Sequence, residues 1–157
     1  MIAGVDISTK GIAVVTIAST GALFSAYWFG IEDTRLVAER CRDWSIGDAA
    51  RSCAMSDNVY VEQPMGRNIK SVAAVERIVG AFLAQVTHDI PVNIIGVTAW
   101  KALAGMSGHA NKAAITAHVV AAYPQLAGKR QDIHDAAGIA LAGHADYHRA
   151  TTPRKAA

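Results

Sequence analysis

Four carboxylates stand where a carboxylate is costly unless something neutralises it. Asp6 closes the apolar run Ile2-Ala3-Gly4-Val5-Asp6-Ile7, and Glu62 closes Val59-Tyr60-Val61-Glu62. Asp132 and Asp135 follow near the C-terminus, three residues apart in Asp132-Ile133-His134-Asp135. An isolated buried carboxylate is strongly disfavoured, so acids at the ends of apolar strands call for a cation. Oxygen donors of this kind suit the hard ions Mg²⁺ or Mn²⁺. Two such ions, about 3.5–4 Å apart, would clamp the attacking and leaving oxygens of a phosphodiester.

Each piece also has a purely structural reading. Asp132 and Asp135 lie on one face of a helix start, with Cβ atoms roughly 5–6 Å apart. There they could serve as an N-cap and a first-turn acid. Glu62 could be a solvated strand end. His134, between the last two acids, could be a metal ligand, a proton carrier near neutral pH or a structural residue. His144 and His148, spaced i, i+4, could bind metal but read as an exposed helix end. Asp6 is the hardest to explain by structure alone, because its flanks are so apolar.

The elements that would position these groups follow from pattern and punctuation. Residues Ile2–Ile7 read as a central strand, apolar on both faces and covered by helices on each side. Gly11–Ala18 and Ala22–Phe29 complete an antiparallel meander around the turn Ser19-Thr20-Gly21. Glu32–Met55 reads as largely helical, broken or kinked at Gly47. Asn58–Glu62 is the fourth strand, and Pro64 and Gly66 force a loop after it. Ile69–Thr87 is a long helix with so little polar surface that it is core or a dimer contact. Pro91–Val97 is the fifth strand, and Thr98 would cap a short helix carrying Trp100 and Lys101. A helix over Asn111–Tyr123 ends at Pro124, and the last runs from Asp132 to about His148. Trp28, Trp44 and Trp100 read as core anchors. The order predicts an α/β fold with a mixed five-stranded sheet, three antiparallel strands then two parallel, with helices on both faces.

Composition sets the bounds. A chain of 157 residues, 52% hydrophobic, suits one domain with a real core. That domain is expected over 1–150, with 151–157 a short basic tail that frays. No apolar run reaches the roughly 18 residues of a membrane span. The start lacks the pattern of a secretory signal, and Cys41 and Cys53 form no Cys-x-x-Cys pair, so both read as reduced thiols of a cytoplasmic protein. A net charge of +2 does not announce a nucleic-acid binder, but clustered acids would mask a local basic surface.

The ordered set resembles the RuvC family of Holliday-junction resolvases, within the RNase H-like superfamily. Gly4-Val5-Asp6 resembles the family's first-strand motif, and Val61-Glu62-Gln63 its second acid followed by a loop and long helix. Asp132-Ile133-His134-Asp135-Ala136-Ala137-Gly138 resembles the closing motif, two acids opening an Ala-rich helix. Val97–Lys112 follows the family pattern of a strand and then lysines on successive helices. The resemblance implies an RNase H-like fold and an endonuclease that acts as a homodimer on four-way DNA junctions, nicking opposed strands symmetrically. Asp6, Glu62, Asp132 and Asp135 would hold two Mg²⁺ ions, with Mn²⁺ able to substitute. Metal-activated water would attack in line to leave a 5′-phosphate and a 3′-hydroxyl, with Lys112 stabilising the charge that builds. Met65, Arg67, Asn68, Lys70, Lys101 and Lys112 would contact DNA. The setting implied is the cytoplasm, in association with the nucleoid, for a protein encoded by a bacterium or a phage, with room for a branch-migration partner that no residue here identifies.

Two departures matter. Ser8 stands where the family has Gly two residues after the first acid, and Met65 stands where an aromatic wedge is common. Met65 could still insert between bases as an apolar wedge. A related nuclease acting on RNA or ribosomal RNA precursors, a non-catalytic junction-binding protein and an actin-like phosphotransferase lobe are the competing readings. The last needs glycines for phosphate approach, and Ser8-Thr9 offers none.

Overall fold

The computed structural model describes residues 1–32, 36–66, 68–86 and 89–151. Its sheet has five strands: β1 (Ile2–Ser8), β2 (Gly11–Ile17), β3 (Leu23–Gly30), β4 (Asn58–Glu62) and β5 (Val92–Ile95). The spatial order is β3-β2-β1-β4-β5, with β1–β2 and β2–β3 antiparallel and β1–β4 and β4–β5 parallel. This is the expected mixed sheet, with β1 at its centre.

Helices cover both faces. α2 (Trp44–Ser52) and α3 (Ile69–Leu83) pack on one, where Val5, Ile7, Val14, Val61, Ile78 and Phe82 form a buried cluster. α4 (Val97–Leu103), α5 (Lys112–Ala122) and α6 (Gln131–Thr151) cover the other, around Ile2, Val15, Tyr60, Trp100, Ile133 and Ile139. Alternation along the strands decides which residues face which layer. Ile2 and Tyr60 face α6, so Gly4 and Asp6, and likewise Glu62, face α6 too.

Two glycines let α6 come close. A Cβ on Gly4 would stand 2.2 Å from the Ala140 amide nitrogen and 2.3 Å from the Ala136 carbonyl oxygen. A Cβ on Gly138 would stand 2.6 Å from the Trp100 ring. The stretch Ala136-Ala137-Gly138-Ile139-Ala140 is therefore pressed directly onto β1 and α4, and it is wholly buried.

Several boundaries differ from expectation. The helix predicted over Glu32–Met55 is two described pieces, α1 (Val37–Arg40) and α2. The break falls at Asp43, whose carboxylate accepts from the Ser45 amide as an N-cap. Gly47 is buried inside α2, where a Cβ would stand 2.8 Å from Gln85 Oε1. The long helix stops at Leu83, four residues short of Thr87. β5 is shorter than Pro91–Val97, because Gly96 caps α4 and Val97 is already helical, so Thr98 is not the cap. Gln131 opens α6, so Asp132 sits in the first turn and is not its N-cap. α6 continues to Thr151, so Arg149 and Ala150 are helical; the rest of the basic tail lies outside the described residues. Trp44 is 76% exposed and anchors no core. No described helix is long and apolar enough to cross a membrane.

Candidate active site

Asp6 and Glu62 are brought together by strand register. β1 and β4 run parallel with Val5 opposite Val61, which sets Asp6 beside Glu62 one step further on. Parallel neighbours lie about 4.8 Å apart, and these two carboxylates share the face covered by α6. α6 starts at that same edge, and Asp132 and Asp135 lie in its first turns. The site thus forms at the carboxyl ends of β1 and β4, the usual place in open α/β sheets.

The electrostatics show the convergence. Burial pushes the Asp6 carboxyl well above the usual range, and Glu62, Asp135 and Asp132 each push it the same way, with Lys112 opposing. Burial also raises Glu62; the Trp100 hydrogen bond and Lys101 pull it back, and Asp135 pushes it up. Asp135 is raised by burial and by Asp132, against the pull of Gln131, Lys112 and Lys101. Acids that raise one another in this way are within mutual electrostatic reach in a poorly solvated cleft.

Three of the four acids are held by a neighbour. Trp100 Nε1–H donates to Glu62 Oε2 at 2.6 Å. Gln131 Nε2 donates to Asp135 Oδ1 at 2.9 Å. Arg130 reaches Asp132 at 3.6 Å while its guanidinium lies 4.1 Å over the Trp28 ring. No side chain among the described residues donates to Asp6. Among those residues no three acidic, histidine or cysteine side chains close into a metal cage. The donor set nevertheless fits a hard divalent cation: it is all oxygen, mutually repelling, and includes one half-buried carboxylate with no side-chain donor among the described residues.

The predicted basic and polar residues fall into distinct positions. Lys101, Lys112 and Asn111 line a cleft of about 310 Å³ together with Glu62, Trp100 and Asp135. Lys101 Nζ donates to the Ala110 carbonyl at 2.8 Å, which steadies it beside the acids. Lys112 is exposed at the first turn of α5. Met65 is 69% exposed and lines a second cleft, of about 330 Å³, with Ser8, Thr9, Glu62 and Asn68. Glu62 stands between the two. Asn68 caps α3, its Oδ1 accepting from the Lys70 and Ser71 amides, so that oxygen is committed to the helix. Lys70 is exposed on the first turn of α3, and Arg67 lies outside the described residues.

His134 does not join the acids. It is 3% exposed, with Nδ1 3.1 Å from the Thr116 hydroxyl and Nε2 3.0 Å from the Leu126 carbonyl. Both ring nitrogens are taken up in tying α6 to α5 and to the turn at Pro124–Leu126, so the metal-ligand reading of His134 is corrected.

Solved structures share this architecture. Thermus thermophilus RuvC superposes with a TM-score of 0.76 at 22% identity, over 96% of each chain. The fold is that of RuvC. T. thermophilus RuvC in complex with a Holliday junction substrate gives 0.75 at 24% identity, again over 96% of each chain. The yeast mitochondrial Holliday junction resolvase gives 0.53 at 11% identity, over 95% of this chain and 83% of the other. No protein-family model and no curated protein matches the sequence. At these identities the likeness to RuvC is one of fold.

On this RuvC fold, sequence reasoning missed the residues that hold the acids. Trp100 was assigned to the core, and at 1% exposed it is there, but its indole nitrogen serves Glu62. A buried indole N–H needs an acceptor, and that requirement was the available signal. Gln131 and Arg130 lie in the polar run Gly128-Lys129-Arg130-Gln131, and only the helix start at Gln131 reveals their direction.

Proposed function

We propose that this protein is a divalent-metal-dependent endonuclease that resolves four-way DNA junctions by paired, symmetric nicks. The observation that carries the reading is the convergence of Asp6, Glu62, Asp132 and Asp135, from three distant segments, at one edge of a RuvC fold. Asp6, Glu62, Asp132 and Asp135 would hold the ions, Mg²⁺ or Mn²⁺. When bound, the metal supplies Lewis-acid polarisation of the scissile phosphate and a nucleophilic water.

The chain's own residues do the rest. Trp100 and Gln131 orient Glu62 and Asp135. The Lys112 ammonium, within electrostatic reach of Asp6 and Asp135, stabilises negative charge developing on the phosphate. Lys101, held by the Ala110 carbonyl, contributes positive potential at the wall of the cleft. Met65, on the far side of Glu62, is the apolar group available to wedge an opened base step. Lys70, Asn68 and Arg67 flank that loop and would track the DNA backbone. Such contacts make affinity fall steeply with salt.

Paired nicks need two sites. α3 buries only Ile78, Val79 and Phe82, and Ile69 at its start is 82% exposed. A homodimer would cover this apolar half.

The deciding experiment is a labelled four-way junction incubated with and without Mg²⁺, the nicks mapped on all strands. Opposed nicks with 5′-phosphate ends, lost in Asp6→Asn while junction binding survives, support the reading. Equal binding to a junction, a linear duplex and structured RNA would shift it to a nuclease of broader substrate, and uncut junctions that are still bound would shift it to a binding protein.

A further inference from the structure

At the other end of α6 from the carboxylates, two histidines close on a backbone oxygen. His144 and His148 lie one turn apart on the helix, and both reach the Ser19 carbonyl in the turn between β2 and β3. His144 Nε2 is 2.9 Å from that oxygen, His148 Nε2 is 3.0 Å from it, and the two Nε2 atoms are 3.0 Å apart. From Asp135 to His144 the helix rises about 14 Å, so this triangle is separate from the acid cleft.

Hydrogen bonding cannot satisfy all three contacts. The Ser19 oxygen only accepts. If both Nε2 atoms carry protons to serve it, the two N–H groups face each other across 3.0 Å. If one gives up its proton to accept from the other, its lone pair points at the lone pairs of the oxygen. Every tautomer leaves one contact of like against like. A cation removes the conflict, because all three atoms then offer lone pairs to one centre.

The triangle also has the size of a coordination face. Imidazole nitrogen and protein oxygen bind borderline divalent ions at about 2.1 Å. Ligands at right angles would then stand about 3.0 Å apart, against about 3.4 Å at tetrahedral angles. The observed edges of 2.9, 3.0 and 3.0 Å match the right-angled face. Tetragonal or octahedral geometry with nitrogen and oxygen donors is the preference of Ni²⁺ and Cu²⁺, and imidazole selects such ions over Mg²⁺.

We propose that His144, His148 and the Ser19 carbonyl form a second metal site, for a borderline divalent transition ion, which staples the β2–β3 turn to α6. The site needs no acid from the nuclease cleft, so it stands or falls independently of the proposed activity.

The test uses tag-free full-length protein and Ni²⁺ as the probe, with millimolar Mg²⁺ present to occupy the carboxylates. Equilibrium dialysis should show one tightly bound Ni²⁺ per chain and a raised melting temperature. Loss of an outer partner alone weakens metal sites about 10–100-fold, so His144→Ala and His148→Ala should each weaken binding at least about tenfold. His109→Ala, an exposed loop histidine elsewhere, should bind as wild type. No uptake by wild type, or undiminished uptake by the double alanine variant, overturns the proposal. Should a variant fail to fold, X-ray absorption on the wild-type Ni²⁺ complex decides: two imidazoles in the coordination sphere support it, and fewer overturn it.

Discussion

Asp6→Asn should make the metal-free protein more stable as it makes it inactive. Asp6 is surrounded by three acids, is half-buried, and receives no side-chain donor among the described residues. Its carboxyl is held well above the ordinary range, so the folded state binds a proton more tightly than the unfolded chain does. Between the ordinary carboxylate value and the raised one, the folded state carries more protons, and stability falls as pH rises through that window. At pH 7.5 the ionised carboxylate is therefore a cost that asparagine lacks. Each pKa unit by which the folded-state carboxyl is raised adds about 1.4 kcal/mol to that cost, which sets the scale of the expected gain. For a domain of this size that is about 2–4 °C of melting temperature per kcal/mol. Thermal melts in EDTA should show Asp6→Asn melting above wild type at pH 7.5, with the gap closing as pH is lowered toward 5. Millimolar Mg²⁺ should raise the wild type and leave the variant nearly unmoved. A variant that melts below wild type in EDTA at pH 7.5 would refute the picture of Asp6 as a desolvated, repelled carboxylate.

Three further outcomes follow from other contacts. Trp100→Phe removes a hydrogen bond to a charged acceptor, an interaction worth about 1.5–3 kcal/mol, so Glu62 loses a group that lowers its pKa. The apparent Mg²⁺ requirement for cleavage should rise about tenfold or more, and the acid limb of the pH–rate profile should move to higher pH; an unmoved limb would remove Trp100 from the site. Gly4→Ala drives a methyl against the α6 backbone, which cannot yield, and should cost about 3 kcal/mol or more, read as a lowered urea midpoint. Lys112→Met should slow cleavage at saturating Mg²⁺ while leaving junction affinity within a few-fold, and equal loss of both would make Lys112 a binding contact only.

The fold was legible because its signals are periodic. Apolar strands Ile2–Ser8, Gly11–Ile17 and Asn58–Glu62 follow runs of β-branched residues, and the chain order of strands and helices allows few topologies. Helix ends were less legible because they turn on single side chains. Asp43 competes with Gly47 as the break after Cys41, and only the bond from the Ser45 amide to its carboxylate shows which one acts. Likewise Gly96 rather than Thr98 precedes α4, because the chain leaves β5 already in an extended conformation suited to a cap.

The acids were found by type and spacing, but what brings them together is written in residues without chemistry. Asp132 and Asp135 can face Asp6 and Glu62 only if α6 lies against β1, and that approach is set by Gly4 and the Ala136–Ala140 run. A side chain at Gly4 would meet the backbone of Ala136 and Ala140, lift α6 from the sheet and draw the last two carboxylates away from the first two. The same helix carries His134 inward, where Thr116 and Leu126 fix its rotation and so fix which face Asp135, one residue on, presents to the cleft. A polar residue buried beside a carboxylate of the cleft thus serves here as a rotational lock. Sequence spacing could not distinguish that role from metal ligation, because the two differ only in which side of the helix the imidazole leaves.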